Sequence, residues 1–371
     1  MNMRSYLSWS AVCVTCFVAI CCAAIHSNAR SLPGRPRVLD RAQDDGSVQK
    51  YEPQLDPTRI PRQPYHRYTT LDKLGRTVTF YLSEEPAQAE ALPLVVYVQG
   101  SGWGSLFAKR GQTDPNEAVA GQGGHSTLAD IVRGRARLLI VEKPGVEYLD
   151  VQNSNPPQRF REEHTLDRWG EAVGAAVQAT CKLAEVDNKR VLVIGHSEGG
   201  IVAARVAAER DFVTHVAVMA GGGPTQLYDI LQLARAGEFF TRVSADADER
   251  VAYVLNSWAE IKADPDNAEK LFFGHPYRRW STFLASSTME ELARTNAAIL
   301  LLQGEKDRAV ATETMTMAQT HLLSKGKLVT ARMIADADHS FNLPPVDGEP
   351  VDGWQQTLKT AVDWFLAEDE E

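Results

Sequence analysis

Gly195-His196-Ser197-Glu198-Gly199-Gly200 follows the apolar run Arg190 to Ile194 and precedes a helical stretch dense in alanine, Gly200 to Glu209. A serine flanked by glycines between a strand and a helix reads as a nucleophile elbow. Its hydroxyl is a poor nucleophile at neutral pH, so it must be held on a sharp turn where a base reaches the oxygen. Gly195 and Gly199 supply what such a turn needs, because a residue without Cβ allows the tight backbone and lets helix and strand pack closely.

Outward from this turn the pattern alternates. Arg76 to Leu82, Leu94 to Val98 and Ala136 to Val141 read as strands, and Thr165 to Glu185 as a helix with one apolar stripe. Val191 to Ile194 leads into Ser197, and His215 to Met219 is the next strand. Ala298 to Leu302 and Leu328 to Met333 are further strands, Glu313 to Leu323 and Trp354 to Leu366 further helices. Trp354, Leu358, Ala361 and Phe365 share a face of the last one. Strands alternating with helices imply an α/β fold: a mostly parallel central sheet with helices on both faces. Pro224 to Asn296 breaks the rhythm with a mostly helical stretch rich in aromatics, among them Phe239, Phe240, Phe272, Phe273, Tyr277 and Trp280. It is expected to be a helical cap over the carboxyl edge of the sheet, its aromatics forming the cap's own core in the main and a substrate pocket in part. The expected division is 65–223 and 297–371 for the core and 224–296 for the cap.

Composition narrows the function classes. With 371 residues, 44% hydrophobic and 23% charged, the chain is long enough for one large domain with an insertion. Its net charge of −9 and the lack of a dense Lys/Arg stripe argue against a nucleic-acid or anionic-membrane surface. Arg4, the uncharged apolar run Leu7 to Ile25 and the small residues Ser27-Asn28-Ala29 read as a signal peptide, 1–29, cleaved after Ala29. An exported protein, periplasmic or secreted, is expected; the alternative is an uncleaved membrane anchor, for which the run is just long enough. Ile20 before Cys21 disfavours a lipoprotein. Cys13, Cys16, Cys21 and Cys22 fall in the leader, which leaves Cys181 alone in the mature chain, so no internal disulfide forms there. Cys181 lies on a stripe with Trp169, Val173 and Val177 and reads as a buried structural thiol. Residues 30–64 read as an extended lead-in. No metal-ligand spacing and no phosphate cradle is found, and no cofactor is expected.

Three motifs in order carry a resemblance to the α/β-hydrolase superfamily over roughly Tyr68 to Ala367: the elbow, the stretch Gly304-Glu305-Lys306-Asp307-Arg308 after a strand, and Asp336-Ala337-Asp338-His339-Ser340-Phe341 near the end. By their chemistry, Ser197 attacks a carbonyl carbon, His339 takes and returns the proton, and Asp307 orients and stabilises the imidazole. Asp336 and Asp338 are rivals for the acid, but both lie so close to His339 that reaching its Nδ1 would strain the loop. His339 is preferred among nine histidines because it alone follows the last strand and precedes the last helix. For His66, His125, His164 and His275 surface or capping roles are the default. The resemblance implies oxyanion donors at the backbone of Glu198 and of the loop Gln99-Gly100-Ser101-Gly102-Trp103, with Ser101 first and Gly100 second. The side chain of Glu198 faces the pocket, faces solvent or is ion-paired. Gln122-Gly123-Gly124-His125 and Lys143-Pro144-Gly145 border the site without an assigned role. The expected activity is that of a carboxylesterase acting on a small or medium acyl substrate through an acyl-enzyme. A serine peptidase or thioesterase uses the same triad, and a non-catalytic binding protein is the alternative of another class.

Overall fold

The computed structural model describes residues 58–59, 64–84, 90–108, 124–152, 155–346 and 349–367. The expected signal peptide, most of the lead-in and Gln122-Gly123 lie outside the described residues. Among those described, no helix is long and apolar enough to cross a membrane.

In chain order the strands are β1 Thr58–Arg59, β2 Tyr65–Leu71, β3 Thr77–Ser83, β4 Leu92–Val98, β5 Arg137–Val141, β6 Val186–His196, β7 His215–Met219, β8 Leu271–Phe272, β9 His275–Pro276, β10 Ala298–Gly304, β11 Val329–Ile334, β12 Leu343–Val346 and β13 Glu349–Val351. The helices are α1 Gly124–Val132, α2 Gln158–Glu163, α3 Leu166–Thr180, α4 Glu198–Glu209, α5 Gln226–Ala236, α6 Ala247–Ala263, α7 Tyr277–Phe283, α8 Thr288–Arg294, α9 Glu313–Ser324 and α10 Gly353–Leu366. Nine strands form one sheet in the order β1-β2-β3-β5-β4-β6-β7-β10-β11. From β5 to β11 every neighbouring pair is parallel, while β1, β2 and β3 join antiparallel.

Strands buried on both faces read as continuous apolar runs, and alternate residues serve opposite layers. Leu94, Val96 and Val98 face a core shared with α3, α4, α8 and α9, through Trp169, Val173, Ile201, Leu292 and Leu322 among others. Val95 and Tyr97 face the opposite core, shared with α1 and α10 through Leu128, Val132, Leu358 and Phe365. The doubly covered α/β sheet expected from the sequence is the fold observed.

The helix expected to reach Glu185 stops at Thr180, where Cys181 caps it, and β6 begins at Val186, earlier than expected. The polar start of β6 slips against its neighbour: Pro93 faces Asp187 but Leu94 faces Val191. Apolar periodicity had no access to this bulge, because Asp187, Asn188 and Lys189 carry none. Cys181 is partly buried, and burial pushes its thiol up to about 11.

Between β7 and β10 the chain builds a smaller layer with a core of its own, containing Ile230, Val254, Ile261, Phe272, Trp280 and Leu284. Its regular elements are helices α5 to α8 and the hairpin of β8 and β9, joined by turns. Thr225 caps α5 by accepting the N–H of Tyr228 at 3.1 Å, and Asp246 caps α6 by accepting that of Glu249 at 3.0 Å. Arg250 of α6 is buried and donates to the carbonyls of Ala234, Ser244 and Ala245, closing the end of α5. Phe283 and Leu292, late in this stretch, belong to the core against the sheet. Replacing Phe365, 1% exposed in the α10 core, with alanine is expected to cost roughly 3–5 kcal/mol in urea unfolding, whereas Leu328→Ala, at 86% exposure, stays within about 0.5 kcal/mol.

Candidate active site

The turn from β6 into α4 sets Ser197 at φ 56° and ψ −124°, a region that side-chain-bearing residues rarely adopt. Surrounding contacts hold it there. The N–H of Ser197 donates to the carbonyl of Met219 at 2.8 Å, and its own carbonyl accepts the N–H of Gly200 at 2.9 Å. A Cβ on Gly195 would come within 2.0 Å of the Gly199 carbonyl oxygen, and one on Gly199 within 2.1 Å of that of Val98. Both glycines are therefore required by close approach.

The structure brings the three motif residues together. His339 Nε2 lies 3.0 Å from Ser197 Oγ, and Nδ1 lies 2.8 Å from Asp307 Oδ2. A carboxylate only accepts, so Nδ1 carries the proton and Nε2 is left to accept from the serine hydroxyl. Asp307 is held in turn: Oδ1 accepts the N–H groups of Ala309 and Val310 at 2.7 and 2.9 Å, and Oδ2 also accepts from Gln303 Nε2 at 2.7 Å. Burial would raise the Asp307 pKa, but the charge and hydrogen bond of His339, with the two N–H groups, keep it below the ordinary carboxylate value. Burial would likewise lower that of His339; Asp307, with Asp338 behind it, outweighs this and leaves the imidazole above its ordinary value.

The rival acids are occupied otherwise. Asp338 Oδ1 accepts the N–H groups of Ser340 and Asn342, both at 2.9 Å, which folds the histidine loop. Asp336 is exposed, with Lys306 Nζ at 3.9 Å. His196 Nε2 donates to the His339 carbonyl at 2.8 Å, and burial brings its pKa down to about 3, so this ring stays neutral.

Ser197 and His339 open on a pocket of about 380 Å³ beneath the cap. Gly100, Ser101 and Glu198 border it on one side, and Phe239, Phe240, Phe273 and Trp280 of the cap on the other. A Cβ on Gly100 would lie 3.3 Å from that of Ser197, which places this loop against the serine. Lys143, after β5, is 2% exposed and donates Nζ to the carbonyls of Gly100 and Gly102 at 2.5 and 2.8 Å. It also lies 4.6 Å from the centre of the Trp169 ring, and burial takes its pKa down to about 8. The motif Lys143-Pro144-Gly145 had signalled a site border; the lysine's grip on the Gly100 loop needed the tertiary structure.

The side chain of Glu198 is ion-paired. It is buried, bonded to Arg279 Nη2 of α7, and accepts from His164 Nε2 at 2.8 Å. Burial would raise its pKa, yet Arg279, ahead of His164 and Lys143, holds it well below the carboxylate range. The Arg279 guanidinium also stacks 3.9 Å from the centre of the Trp280 ring. The residue beside Ser197 thus latches the cap to the core. The default surface role for His125, His164 and His275 is corrected, since all three are interior, although His164 does cap α2 through its N–H on the Phe160 carbonyl. His164 pairs with Glu198, and His125 bonds the Tyr65 hydroxyl at 3.1 Å and the Leu106 carbonyl at 2.9 Å. Sequence reading missed them because a histidine in a loop carries no periodic signal of burial.

A strand-to-helix turn bearing a serine, followed at later strand ends by a hydrogen-bonded acid and histidine, is the layout of an α/β hydrolase. The model of the alpha/beta hydrolase family matches residues 121–349, and the chain belongs to that family. No curated protein matches it. Among solved structures it resembles Est1E from Butyrivibrio proteoclasticus with bound ferulic acid, at 19% identity and TM-score 0.51, over 80% of this chain and 96% of that one. It also resembles the Pyrococcus horikoshii acylaminoacyl peptidase, at 12% identity and TM-score 0.50, over 81% of this chain and 41% of that one. A Mycobacterium tuberculosis puromycin-hydrolyzing peptidase matches at 17% identity and TM-score 0.50, over 82% and 40%. The chain spans about two fifths of the length of the two peptidases. At these identities the likeness concerns the fold.

The Glu198 latch yields a stability test. Arg279→Met leaves a buried carboxylate without its cation and is expected to lower the unfolding free energy at pH 7 by roughly 3–5 kcal/mol. Adding Glu198→Gln to that variant is expected to restore most of the loss in the same denaturation assay.

Proposed function

We propose that the chain is a serine hydrolase, a carboxylesterase acting on small or medium acyl esters. The observation that carries this reading is the continuous hydrogen-bonded series Ser197–His339–Asp307 at the floor of an apolar pocket. In the first step Ser197 Oγ bonds to the ester carbonyl carbon while its proton passes to His339 Nε2. The carbonyl electron pair moves onto oxygen, where the N–H groups of Glu198 and Ser101 are assigned as donors, with Gly100 second. Collapse breaks the bond to the alkoxy oxygen, which leaves as the alcohol with the proton from His339. Water then adds to the acyl carbon while giving a proton to His339; the bond to Ser197 Oγ breaks, the acid leaves, and Oγ takes the proton back from His339. Asp307 keeps the imidazole in the tautomer this needs and stabilises its charged form.

Lys143 is a positioning residue in this scheme. In a trans peptide the C=O and the next N–H point in opposite directions. Holding the Gly100 carbonyl from one side therefore aims the Ser101 N–H to the other. The apolar, aromatic lining favours an acyl or alcohol group of modest size. Export remains part of the reading on the strength of the leader-like N-terminus alone.

Four outcomes are expected. A fluorophosphonate probe forms a stoichiometric adduct on Ser197, located by peptide mass spectrometry; a folded protein that takes no label overturns the reading, and Ser197→Ala abolishes both label and ester turnover. Because His339 must be neutral to accept the proton and its pKa is raised, kcat/KM falls with decreasing pH through a midpoint above the ordinary histidine value of about 6.5. Asp307→Asn removes the raising charge, so the midpoint moves to lower pH while kcat drops by on the order of 10³- to 10⁴-fold. Lys143→Met is expected to lower kcat about tenfold or more with KM little changed, the signature of a lost transition-state contact.

A further inference from the structure

Asp229 sits in the first turn of α5, 4% exposed, and lines the same pocket as Ser197. Its Oδ1 accepts the N–H of Ala311 at 3.3 Å. Among the described residues that N–H is the hydrogen-bond donor acting on the carboxyl, and Oδ2 stands over Gly222, another lining residue, where a Cβ would approach it to 2.8 Å. A carboxyl held by a single N–H has acceptor capacity to spare, and here it lines a pocket that a ligand donor can enter. Among the described residues no cation acts on it. Asp307 on the acid loop and Glu313 at the start of α9 are the charged groups acting on it, and both are carboxylates. Burial first, then these two, push the Asp229 pKa well above its ordinary value, which favours the neutral carboxyl while the pocket is empty; a cation set beside it supplies the opposite charge that lets it ionise. The basic groups bordering the pocket are placed elsewhere: Arg279 is bonded to Glu198, and Arg242 lies on the exposed rim. Glu238, also at the rim, is paired with Arg308.

We propose that Asp229 anchors a protonated amine of the substrate, so that the pocket takes acyl compounds carrying an ammonium group opposite the scissile carbonyl. The field of Asp307 and Glu313 repels an anion and gives a neutral group no advantage, whereas it attracts a cation. Phe239, Phe240 and Phe273, on the cap side of the pocket, offer aromatic faces that suit the same charge. The acyl end of this inference rests on the serine hydrolase reading; the amine site does not.

The test therefore separates binding from turnover. Full-length Ser197→Ala is titrated calorimetrically at pH 7 with n-alkylammonium ions and with n-alkanols of equal length. At the best chain length the ammonium ion is expected to bind at least tenfold more tightly. Asp229→Asn in the same background keeps an oxygen for the Ala311 N–H and is expected to bring the ratio near one while alkanol binding persists. Asp229→Ser provides the same comparison if the asparagine variant does not fold. Equal affinities in the parent, or a preference that survives both substitutions, overturn the amine site. Wild-type turnover of ω-amino acyl esters against their alkyl isosteres completes the comparison. Amine preference in binding without any ester turnover sinks the hydrolase reading and leaves the site; turnover without amine preference does the reverse.

Discussion

The close approach of three backbone segments at Gly195, Gly199 and Val98 is the constraint on which the rest of the structure depends. Strand β6 and helix α4 meet at a distance no side chain allows, and the residue between them, Ser197, is left at a positive φ. Strain of this kind, of order 1–3 kcal/mol per residue, persists only where the surroundings over-determine it. Here they do so through the sheet on one side, with Met219 holding the Ser197 N–H, and through the packed alanine-rich face of α4 on the other. The outcome is a hydroxyl presented above the carboxyl edge of a parallel sheet, where later strands deliver their own loops.

What those loops bring is a polar network in a largely apolar enclosure. Asp307 spends all its acceptor capacity on Gln303, two N–H groups and His339, so its position leaves little freedom. Glu198, one residue past the serine, serves a different purpose: it ties α7 of the cap to α4 of the core through Arg279. Lys143 ties the Gly100 loop to the end of β5. Each of these charges is buried against a partner, which makes the arrangement unforgiving, since a buried ion without its partner costs several kcal/mol. Asp229 stands apart from them. It faces the pocket held by a single N–H, with acceptor capacity to spare, which is why it invites a ligand where the others do not.

The cap owes its existence to the same economy of burial. Between β7 and β10 the chain buries its own aromatic core, and α8 returns to pack on α4. Phe239, Phe240 and Phe273 turn toward the pocket, while Phe272 and Tyr277 are sealed inside the cap and Phe283 joins the core against the sheet. Nothing in the spacing of these rings distinguishes them, since they fall in short segments joined by turns. Their sorting is decided by which side of the cap faces the sheet.

How much was legible follows from the range of each force. Strands β3 to β7, β10 and β11, the elbow and the order of serine, acid and histidine were readable, because apolar runs, glycine requirements and strand-end motifs are local; β1 and β2, at the antiparallel edge, were not read as strands. The choice of Asp307 over Asp336 and Asp338 was argued from loop geometry, and His339 Nδ1 lies 2.8 Å from Asp307 Oδ2. The burial of His125, His164 and His275, the bulge at Pro93 and Leu94, the pairing of Glu198 with Arg279 and the isolation of Asp229 were not readable. Residues 81 positions apart form the latch, and a carboxyl becomes a candidate anchor only because, among the described residues, no cation acts on it. By itself the sequence determined the class of fold and which serine occupies the strained turn, since these rest on periodicity and on the steric needs of adjacent residues. The tertiary structure alone decided which charges are paired, which are left open to the pocket and where the cap meets the core, because electrostatics and packing act between groups that only folding brings together.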